Sequence, residues 1–274
     1  MSIQLVFPSF DHEFINLNDF ILQLVNEYNE GKITSWDDLD GRVKTFFTPE
    51  RIDEIEEKAP GWKKMASYSD GITLTHVTCV FLGMFMLPEF QRLTHEQQQT
   101  AKWIILFHDI EKVYIKEKRD SFHAFRSAVN TAYSLPKFGF PVTSFYQTLV
   151  HAWSTTTNSA FTINEDERED QKPDNSKLSE IITGVYNIFG EHTPAALIVK
   201  VVLLHYSITV VKDWPQPAPF SDDEIKKHIN YELLPLLKVM MLADNEGWIM
   251  FYPEREKQRS ETLETFKRVE NLIA

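Results

Sequence analysis

Residues 101–112 read AKWIILFHDIEK, and the apolar run in this stretch ends in the adjacent pair His108 and Asp109. The run predicts a buried helix, so the imidazole and the carboxylate that follow it would lie at the edge of the core. Unpaired polar groups are costly in such a place, whereas groups bound to a metal ion are not. The stretch therefore raises the question of whether the rest of the chain supplies further ligands.

Apolar residues recur at helical spacing along most of the chain. The spacing predicts helices over residues 11–30, 71–87, 94–109, 121–135, 142–153, 178–189, 194–212, 221–248 and 254–273, with short helices between 36 and 58 that break at Gly41 and at Thr48-Pro49. Capping boxes are predicted at Thr94 and at Ser221. No stretch alternates apolar and polar residues as a half-buried strand does, so the sequence predicts an all-α protein.

Charge and cysteine content limit the kinds of protein to which the chain can belong. The chain has 274 residues, a formal net charge of −12 and 1 cysteine, Cys79. So acidic a surface repels a phosphate backbone, and bulk binding to nucleic acid is not expected. A single cysteine can form neither an internal disulfide nor a cysteine zinc cluster, and it suits a reducing compartment.

The sequence gives no sign of membrane targeting. Its first residues lack the basic start and the apolar core of a signal peptide. The longest apolar run, residues 195–211, is interrupted by Lys200 and His205, so we expect a buried element rather than a membrane span. We therefore expect a cytoplasmic protein without a membrane partner, and the sequence leaves open whether it forms a homodimer.

Two segments depart from the average charge. Residues 154–177, STTTNSAFTINEDEREDQKPDNSK, are polar and acidic and predict a long loop inserted between helices, which would suit a lid. Basic residues follow the His-Asp pair instead, at Lys112, Lys116, Lys118, Arg119 and Arg126. They suit a small anionic ligand, although a solvated loop and helix face explains them equally well.

Two further side chains extend the His-Asp pair. His76 lies on the apolar face of the predicted helix 71–87, four residues from Ile72 and from Val80. A single histidine on such a face is more often a core residue than a ligand. Asp244 also lies on an apolar helix face, where an isolated aspartate is rare without a partner or a metal.

Together these residues predict a metal site. The candidate ligands are His76, His108, Asp109 and Asp244. They come from three helices and point inward, and two imidazoles with two carboxylates suit a divalent ion such as Mn, Fe, Co, Ni, Zn or Mg. The structural alternative requires two buried aspartates and two core histidines to find other partners.

The order H…HD…D resembles the HD-domain superfamily of metal-dependent phosphohydrolases. Segments that carry the resemblance are LTHV at 74–77, THEQQQTAKWIILFHDIEK at 94–112, DSFHAFRSA at 120–128 and LLKVMMLADNEGW at 236–248. The family's central helix usually ends LLHDIGK, and Glu111 stands here in place of the glycine. The resemblance implies a single all-α domain over 1–274, an HD-domain-like helical bundle. Its HD-like core would span 71–250, with the acidic loop insertion at 154–177 and helical additions at 1–70 and 254–274.

The metal ligands that the resemblance implies are His76, His108, Asp109 and Asp244. Family members with a second metal or a phosphate-binding shell add histidines between the pair and the final aspartate. His123 in DSFHAFRSA is the first candidate for such a residue. Either His151 in TLVHAW or His205 in VVLLHYS would be the next, and the sequence does not decide between them.

The resemblance also implies a reaction, the hydrolysis of a nucleotide or another small phosphate ester by a phosphatase or phosphodiesterase. Asp109 would serve as ligand and base, and Lys112, with Arg126 near it, would balance the charge of the phosphate. The same residues would equally serve a sensory or scaffolding domain that binds metal and nucleotide without turnover. A purely structural helical protein is the third alternative.

Overall fold

The computed structural model describes residues 8–113, 120, 122–160, 175–210 and 219–274. Within these ranges the chain forms 15 α-helices and no strand, which confirms the predicted all-α fold. In chain order the helices are α1 (Phe10–Glu13), α2 (Ile15–Asn29), α3 (Trp36–Phe46), α4 (Pro49–Lys58), α5 (Trp62–Ala66), α6 (Ile72–Met86), α7 (Pro88–Gln91), α8 (His95–Phe107), α9 (His123–Ser134), α10 (Tyr146–Ala160), α11 (Leu178–Phe189), α12 (Pro194–Leu204), α13 (Asp222–His228), α14 (Leu234–Ile249) and α15 (Arg255–Ile273).

Helix α6 lies at the centre of the bundle, and its residues 73–84 are all buried. It packs most extensively on α14 and also contacts α2, α3 and α8. Helix α12 packs on both α8 and α9. Because His108 follows α8, His123 begins α9 and His205 follows α12, this second set of contacts brings three histidines to one place.

Two glycines allow α6 and α14 to approach closely. A Cβ atom at Gly83 would lie 2.6 Å from the Cβ of Glu246. A Cβ atom at Gly247 would lie 2.6 Å from Cγ2 of Val80 and 2.8 Å from Cε1 of His76. Contacts this short exclude any larger residue without a shift of the helices, so the glycines set the distance at which α14 packs against His76.

The N-terminal helices join the core through an aromatic cluster around Trp103 of α8. Phe10 and Phe14 lie edge-on to Trp103, each with a ring-centroid distance of 5.6 Å. Trp103 is fully buried and donates its indole N–H to the carbonyl of Pro8 at 3.0 Å. Residues 8–29 therefore pack on the same core as the helix that precedes the His-Asp pair.

Some predicted boundaries are wrong in the first half of the chain. Helix α3 runs through Gly41, where a break was predicted, because this glycine is exposed and costs a helix only about 1 kcal/mol relative to alanine. The predicted first helix is instead broken at Phe14, whose ψ of 47° is not helical. The capping box at Thr94 is confirmed, with its hydroxyl accepting from the backbone N–H of Gln97.

The predicted acidic loop begins later than residue 154. Helix α10 continues to Ala160, and the hydroxyls of Ser154 and Thr155 donate to the carbonyl of His151 at 2.9 and 3.0 Å within the helix. These bonds satisfy polar side chains that otherwise favour loops. Residues 161–174 of the predicted loop lie outside the described residues.

In the second half of the chain, the helix predicted over 221–248 is two helices, α13 and α14. The side chain of Asn230 accepts a hydrogen bond from the backbone N–H of Leu233 at 2.9 Å, and Pro235 lies in the first turn of α14. A proline in this position favours the start of a new helix. The helix predicted over 194–212 likewise ends at Leu204.

In the part of the chain that the structure describes, one helical stretch, Tyr68–Met86, is long and apolar enough to cross a membrane by length and composition, with a mean hydropathy of 1.2. However, 67% of this stretch is buried within the fold. Its hydropathy is therefore explained by the central position of α6.

Candidate metal centre

His108 and His205 occupy equivalent positions, each directly after the last residue of a buried helix. Nδ1 of His108 lies 2.8 Å from the carbonyl oxygen of Ile105. Nδ1 of His205 lies 2.7 Å from that of Val202. Since the last carbonyls of a helix lack partners within the helix, each ring donates its Nδ1–H to one of them. In the neutral ring the lone pair is then on Nε2, the nitrogen that faces the buried centre.

His123, the first residue of α9, is held by a similar contact. Its Nδ1 lies 2.6 Å from the carbonyl oxygen of Asp120. The carboxylate of Asp120 is buried and accepts from the backbone N–H groups of Val113 and Phe122 at 3.0 and 3.2 Å. Arg126 forms an ion pair with the same carboxylate. Asp120 therefore fixes the turn that presents His123 to the centre.

The first group that could hold a metal ion consists of His76, His108 and Asp109, whose ligand atoms all lie within 4.8 Å of one another. Oδ2 of Asp109 lies 3.7 Å from Nε2 of His76 and 3.6 Å from Nε2 of His108. Oδ1 of Asp244 lies 3.0 Å and 3.9 Å from the same two nitrogens. The four residues predicted as ligands therefore converge, and Asp244, with 25% of its side chain exposed, forms the open side of the group.

A second group, Asp109, His123 and His205, lies beside the first. The Nε2 atoms of the two histidines lie 3.2 Å apart, and Oδ1 of Asp109 lies 3.0 Å from Nε2 of His123. Asp109 thus belongs to both groups, with Oδ2 towards the first and Oδ1 towards the second. If each group held a metal ion, Asp109 would offer one oxygen to each of them.

Burial and neighbouring charges favour the protonation states that metal binding requires. Burial lowers the pKa of His205 to about 3 and also lowers the pKa of His108. Burial by itself raises the pKa of Asp109, but the charges of Lys112 and of nearby histidines outweigh it and hold that pKa well below its usual value. The pKa of Asp244 is also lowered against the effect of burial, because the carboxylate is hydrogen-bonded to a histidine. At neutral pH these two imidazoles are therefore neutral and the two carboxylates are ionised.

The arrangement of these side chains fits a divalent metal ion. Among the described residues, the buried Nε2 of His108, which faces Asp109 and Asp244, is a side-chain nitrogen with no hydrogen-bond partner. Nε2 of His123 faces both Nε2 of His205 at 3.2 Å and Oδ1 of Asp109 at 3.0 Å, and a cation at this point, either a proton or a metal ion, stabilises the three atoms. Two nitrogens bound to one ion at about 2.0–2.1 Å lie roughly 3 Å apart, close to the separation seen here. The helical fold with this buried cluster is therefore compatible with an HD-type metal site.

Lys112 lies at the mouth of the centre. Its Nζ is 2.6 Å from Oδ2 of Asp109 and 5.8 Å from the centroid of the Trp248 ring, and 20% of its side chain is exposed. Burial alone would lower the pKa of Lys112, but the negative charge of Asp109, with a smaller effect of Asp244, raises it above the usual value. The ammonium group therefore stays charged and is placed to meet an anionic ligand.

Of the two histidines that the sequence left as alternatives, His205 lies in the centre and His151 does not. His151 is exposed on α10. The two residues follow similar apolar runs, but α12 ends immediately before His205, whereas α10 continues past His151. Because α12 ends at Leu204, the His205 ring turns back towards the carbonyl of Val202, and its Nε2 faces the centre.

The basic residues that follow the His-Asp pair do not all lie at the centre. Arg126 contacts Asp120 and the carbonyl oxygen of Glu111, the latter at 3.3 Å, so it supports the turn before α9. Lys116, Lys118 and Arg119 lie outside the described residues.

Two aromatic residues of the centre were not predicted. The ring of Trp248 stacks on His76 with a centroid distance of 4.1 Å and an interplanar angle of 21°. The ring of Tyr206 lies 4.6 Å from that of His123 and 4.9 Å from that of His205. Both positions were readable in principle, because Trp248 follows the aspartate ligand by one helical turn and Tyr206 follows a candidate histidine directly.

None of the protein family models, characterised proteins or solved structures compared with the chain matches it. The chemical nature of the site is therefore inferred from its own residues. It is an all-helical fold whose buried histidine and aspartate side chains form two groups that could hold a metal ion.

Proposed function

We propose that the chain is a metal-dependent phosphohydrolase of the HD type, which hydrolyses a nucleotide or another small phosphate ester in the cytoplasm. The position of Asp109 supports this best, because its two oxygens belong to two adjacent groups that could each hold a metal ion. Lys112 beside it adds a permanent positive charge at the mouth, where a phosphate would enter.

The ligands of the first ion would be His76, His108, Asp109 and Asp244. Those of the second would be His123, His205 and the other oxygen of Asp109. A divalent ion held there would act as a Lewis acid that polarises a phosphoryl oxygen and makes water nucleophilic at neutral pH.

Asp109 and Lys112 would both take part in the reaction, Asp109 as the base and Lys112 as the positive charge beside the phosphate. Asp109 would accept one proton of the attacking water as the water oxygen bonds to phosphorus, and the ester P–O bond would break as the leaving oxygen takes up a proton from solvent, which releases the alcohol. Lys112 neutralises charge on the phosphate.

The proposal is tested by loading the metal-free protein separately with Mn²⁺, Fe²⁺, Co²⁺, Ni²⁺, Zn²⁺ and Mg²⁺. Bound metal is measured by mass spectrometry, and activity is measured on a panel of phosphomonoesters and phosphodiesters. We expect at least one ion to bind and to give hydrolysis that chelation abolishes. Asp109→Asn should lose activity, and His151→Ala, a histidine on the surface, should retain it.

Two results would contradict the proposal. A protein fully loaded with metal that hydrolyses no member of the panel, yet binds nucleotides tightly, would indicate a sensory or scaffolding domain. A protein that binds none of the six ions, and whose stability none of them changes, would indicate a purely structural role for the buried cluster.

A further inference from the structure

The chain on both sides of the His-Asp pair packs against residues 60–64, which we call the supporting segment. The indole N–H of Trp62 donates to the carbonyl of Leu106 at 3.0 Å, in the last turn of α8 before the pair. A Cβ atom at Gly61 would lie 3.1 Å from Cγ1 of Ile110, directly after the pair. The supporting segment therefore contacts the backbone or side chains immediately before and after the two central ligands.

The supporting segment has a fixed conformation of its own. The carboxylate of Glu56 in α4 accepts hydrogen bonds from the backbone N–H groups of Gly61 and Lys63, at 3.0 and 2.8 Å. Gly61 has a φ of 113°, which residues with a Cβ rarely adopt. Trp62 is 1% exposed. A segment held both by its backbone and by its largest side chain provides a rigid surface for the residues that pack on it.

Glu111 joins the supporting segment to the chain that follows the His-Asp pair. The side-chain amide of Asn130 donates to Oε1 of Glu111 at 2.7 Å and to the carbonyl of Pro60 at 2.9 Å, so it bridges the two. Oε2 of Glu111 lies 3.7 Å from Nζ of Lys64. The backbone N–H of Glu111 donates to the hydroxyl of Ser127 at 3.2 Å. Both carboxylate oxygens and the backbone of Glu111 are therefore held, by α9 and by the supporting segment.

We propose that Glu111 is a positioning residue, which holds the turn after the His-Asp pair so that Lys112 stays at the mouth of the centre. Lys112 is the next residue, and its backbone N–H donates to the carbonyl of Asp109 at 2.9 Å within that turn. The inference rests on the proposed function, since the anion that Lys112 meets is the phosphate of the ester. It also gives a role in the site to residues 60–64, which lie outside the range 71–250 expected for the HD-like core.

A lysine at the mouth depends on such support. Its ammonium group lies at the end of a long flexible stem, so a small change in the turn displaces the charge. A misplacement of about 1 Å at a reacting centre can cost a large factor in rate.

The hydrogen bond with Asn130 is the main contribution of Glu111 to this support. The ion pair with Lys64 is longer, and 62% of the lysine side chain is exposed, so the pair contributes little. Because Asn130 is neutral, the bond needs an acceptor oxygen rather than a charge. Glutamine at position 111 would keep that oxygen, and alanine would remove it.

The test compares Glu111→Ala and Glu111→Gln with a matched control, Glu180→Ala, which removes a carboxylate 3.8 Å from Lys177 on the surface. Each protein is loaded with metal, its metal content is measured by mass spectrometry, and inorganic phosphate is titrated into it by isothermal calorimetry. Glu111→Ala should keep its metal and bind phosphate at least about fivefold more weakly, as expected for one lost hydrogen bond. Glu111→Gln should restore most of the affinity, and Glu180→Ala should have no effect.

A merely structural role for Glu111 predicts a different pattern. Glu111→Ala would then lower the free energy of unfolding, yet the folded and metal-loaded variant would bind phosphate as well as the unaltered protein, and that result would overturn the inference. Loss of metal from Glu111→Ala would overturn it as well, because Glu111 would then support the ligands instead of Lys112. If Glu111→Ala does not fold, Asn130→Ala removes the same hydrogen bond and decides the matter by the same titration.

The outcomes separate this inference from the proposed function. Phosphate binding that depends on Glu111, without hydrolysis of any ester, would contradict only the proposed function. Ester hydrolysis by the unaltered protein, together with full phosphate affinity in Glu111→Ala, would contradict only the inference. An unaltered protein that binds no phosphate would overturn the inference, since Lys112 would then meet no anion.

Discussion

The Nε2 atoms of His123 and His205 lie 3.2 Å apart, although both rings donate their Nδ1 hydrogens to backbone carbonyls. Nε2 of His123 also lies 3.0 Å from Oδ1 of Asp109, so two nitrogens and a carboxylate oxygen converge on a point where a proton or another cation stabilises them. The pair therefore has the geometry of a cation site.

Removal of His205 should affect only the second group of ligands. We expect His205→Ala to lower the metal content of the saturated protein by about half, because the first group keeps its ligands. His151→Ala is the matched control and should change nothing, since His151 is exposed on α10. Mass spectrometry of the loaded proteins checks both, and equal metal content in the two variants would remove His205 from the site.

Asp109→Asn should affect both groups at once. The amide keeps the shape of the side chain. It loses the negative charge that the Asp109 carboxylate contributes to both groups and that pairs with Lys112. We expect a larger loss of metal than in His205→Ala, measured in the same way. A variant that retains its full metal content would contradict a bridging role for Asp109.

Gly247→Ala should weaken metal binding through His76. The added Cβ would lie 2.8 Å from Cε1 of His76 and 2.6 Å from Cγ2 of Val80, so α14 must shift and the free energy of unfolding should fall by about 1–3 kcal/mol. Gly41→Ala is the control. Because a Cβ there meets nothing within 4 Å in an exposed helix, it should stabilise the protein by about 0.5–1 kcal/mol. Chemical denaturation of both variants, together with their metal affinities, checks the contrast.

Arg255→Ala should strongly destabilise the packing of α15. The guanidinium lies 2.7 Å from Oε2 of Glu246, which is 2% exposed, and 2.8 Å from the hydroxyl of Tyr28. Without Arg255 the carboxylate is buried and uncompensated, which typically costs about 3–5 kcal/mol. Arg268→Ala breaks the exposed pair with Asp222 and should cost only about 0–1 kcal/mol. Similar unfolding midpoints for the two variants would argue against this difference in burial.

The thiol of Cys79 should be unreactive in the folded protein. Burial raises its pKa well above the ordinary value, so the thiolate is scarce at pH 9 in the native state and abundant in the unfolded chain, whose pKa is about 8.5. Since the folded state disfavours the charged form, this group's contribution to stability is complete below about pH 8.5 and declines as the pH rises above it. Thiol titration at pH 9, with and without denaturant, checks this prediction, and rapid reaction of the native protein would contradict it.

The sequence predicts those parts of the site that depend on a helix face. His76 and Asp244 were identifiable because each is a polar side chain on an apolar stripe. The choice between His151 and His205 could not be made from the sequence. It depends on where a helix ends, and similar apolar runs precede both residues. The division between α13 and α14 had a readable signal in Asn230 and Pro235. Spacing places Trp248 one helical turn after Asp244, but its stacking on His76 is a contact between two helices that local spacing does not encode.

The close packing of α6 against α14 has a consequence for when the proposed metal could bind. His76 and Asp244 are separated by 168 positions in the chain, so they meet only after nearly all of the intervening helices have been synthesised and have docked. A nascent or partly folded chain therefore cannot assemble the complete first site, and loading becomes a late event in biogenesis. An ion that binds only the finished fold would stabilise that fold by mass action, by about 2.7 kcal/mol when its free concentration is 100 times the Kd. Starvation for the metal would then lower the amount of folded protein in the cell as well as its occupancy.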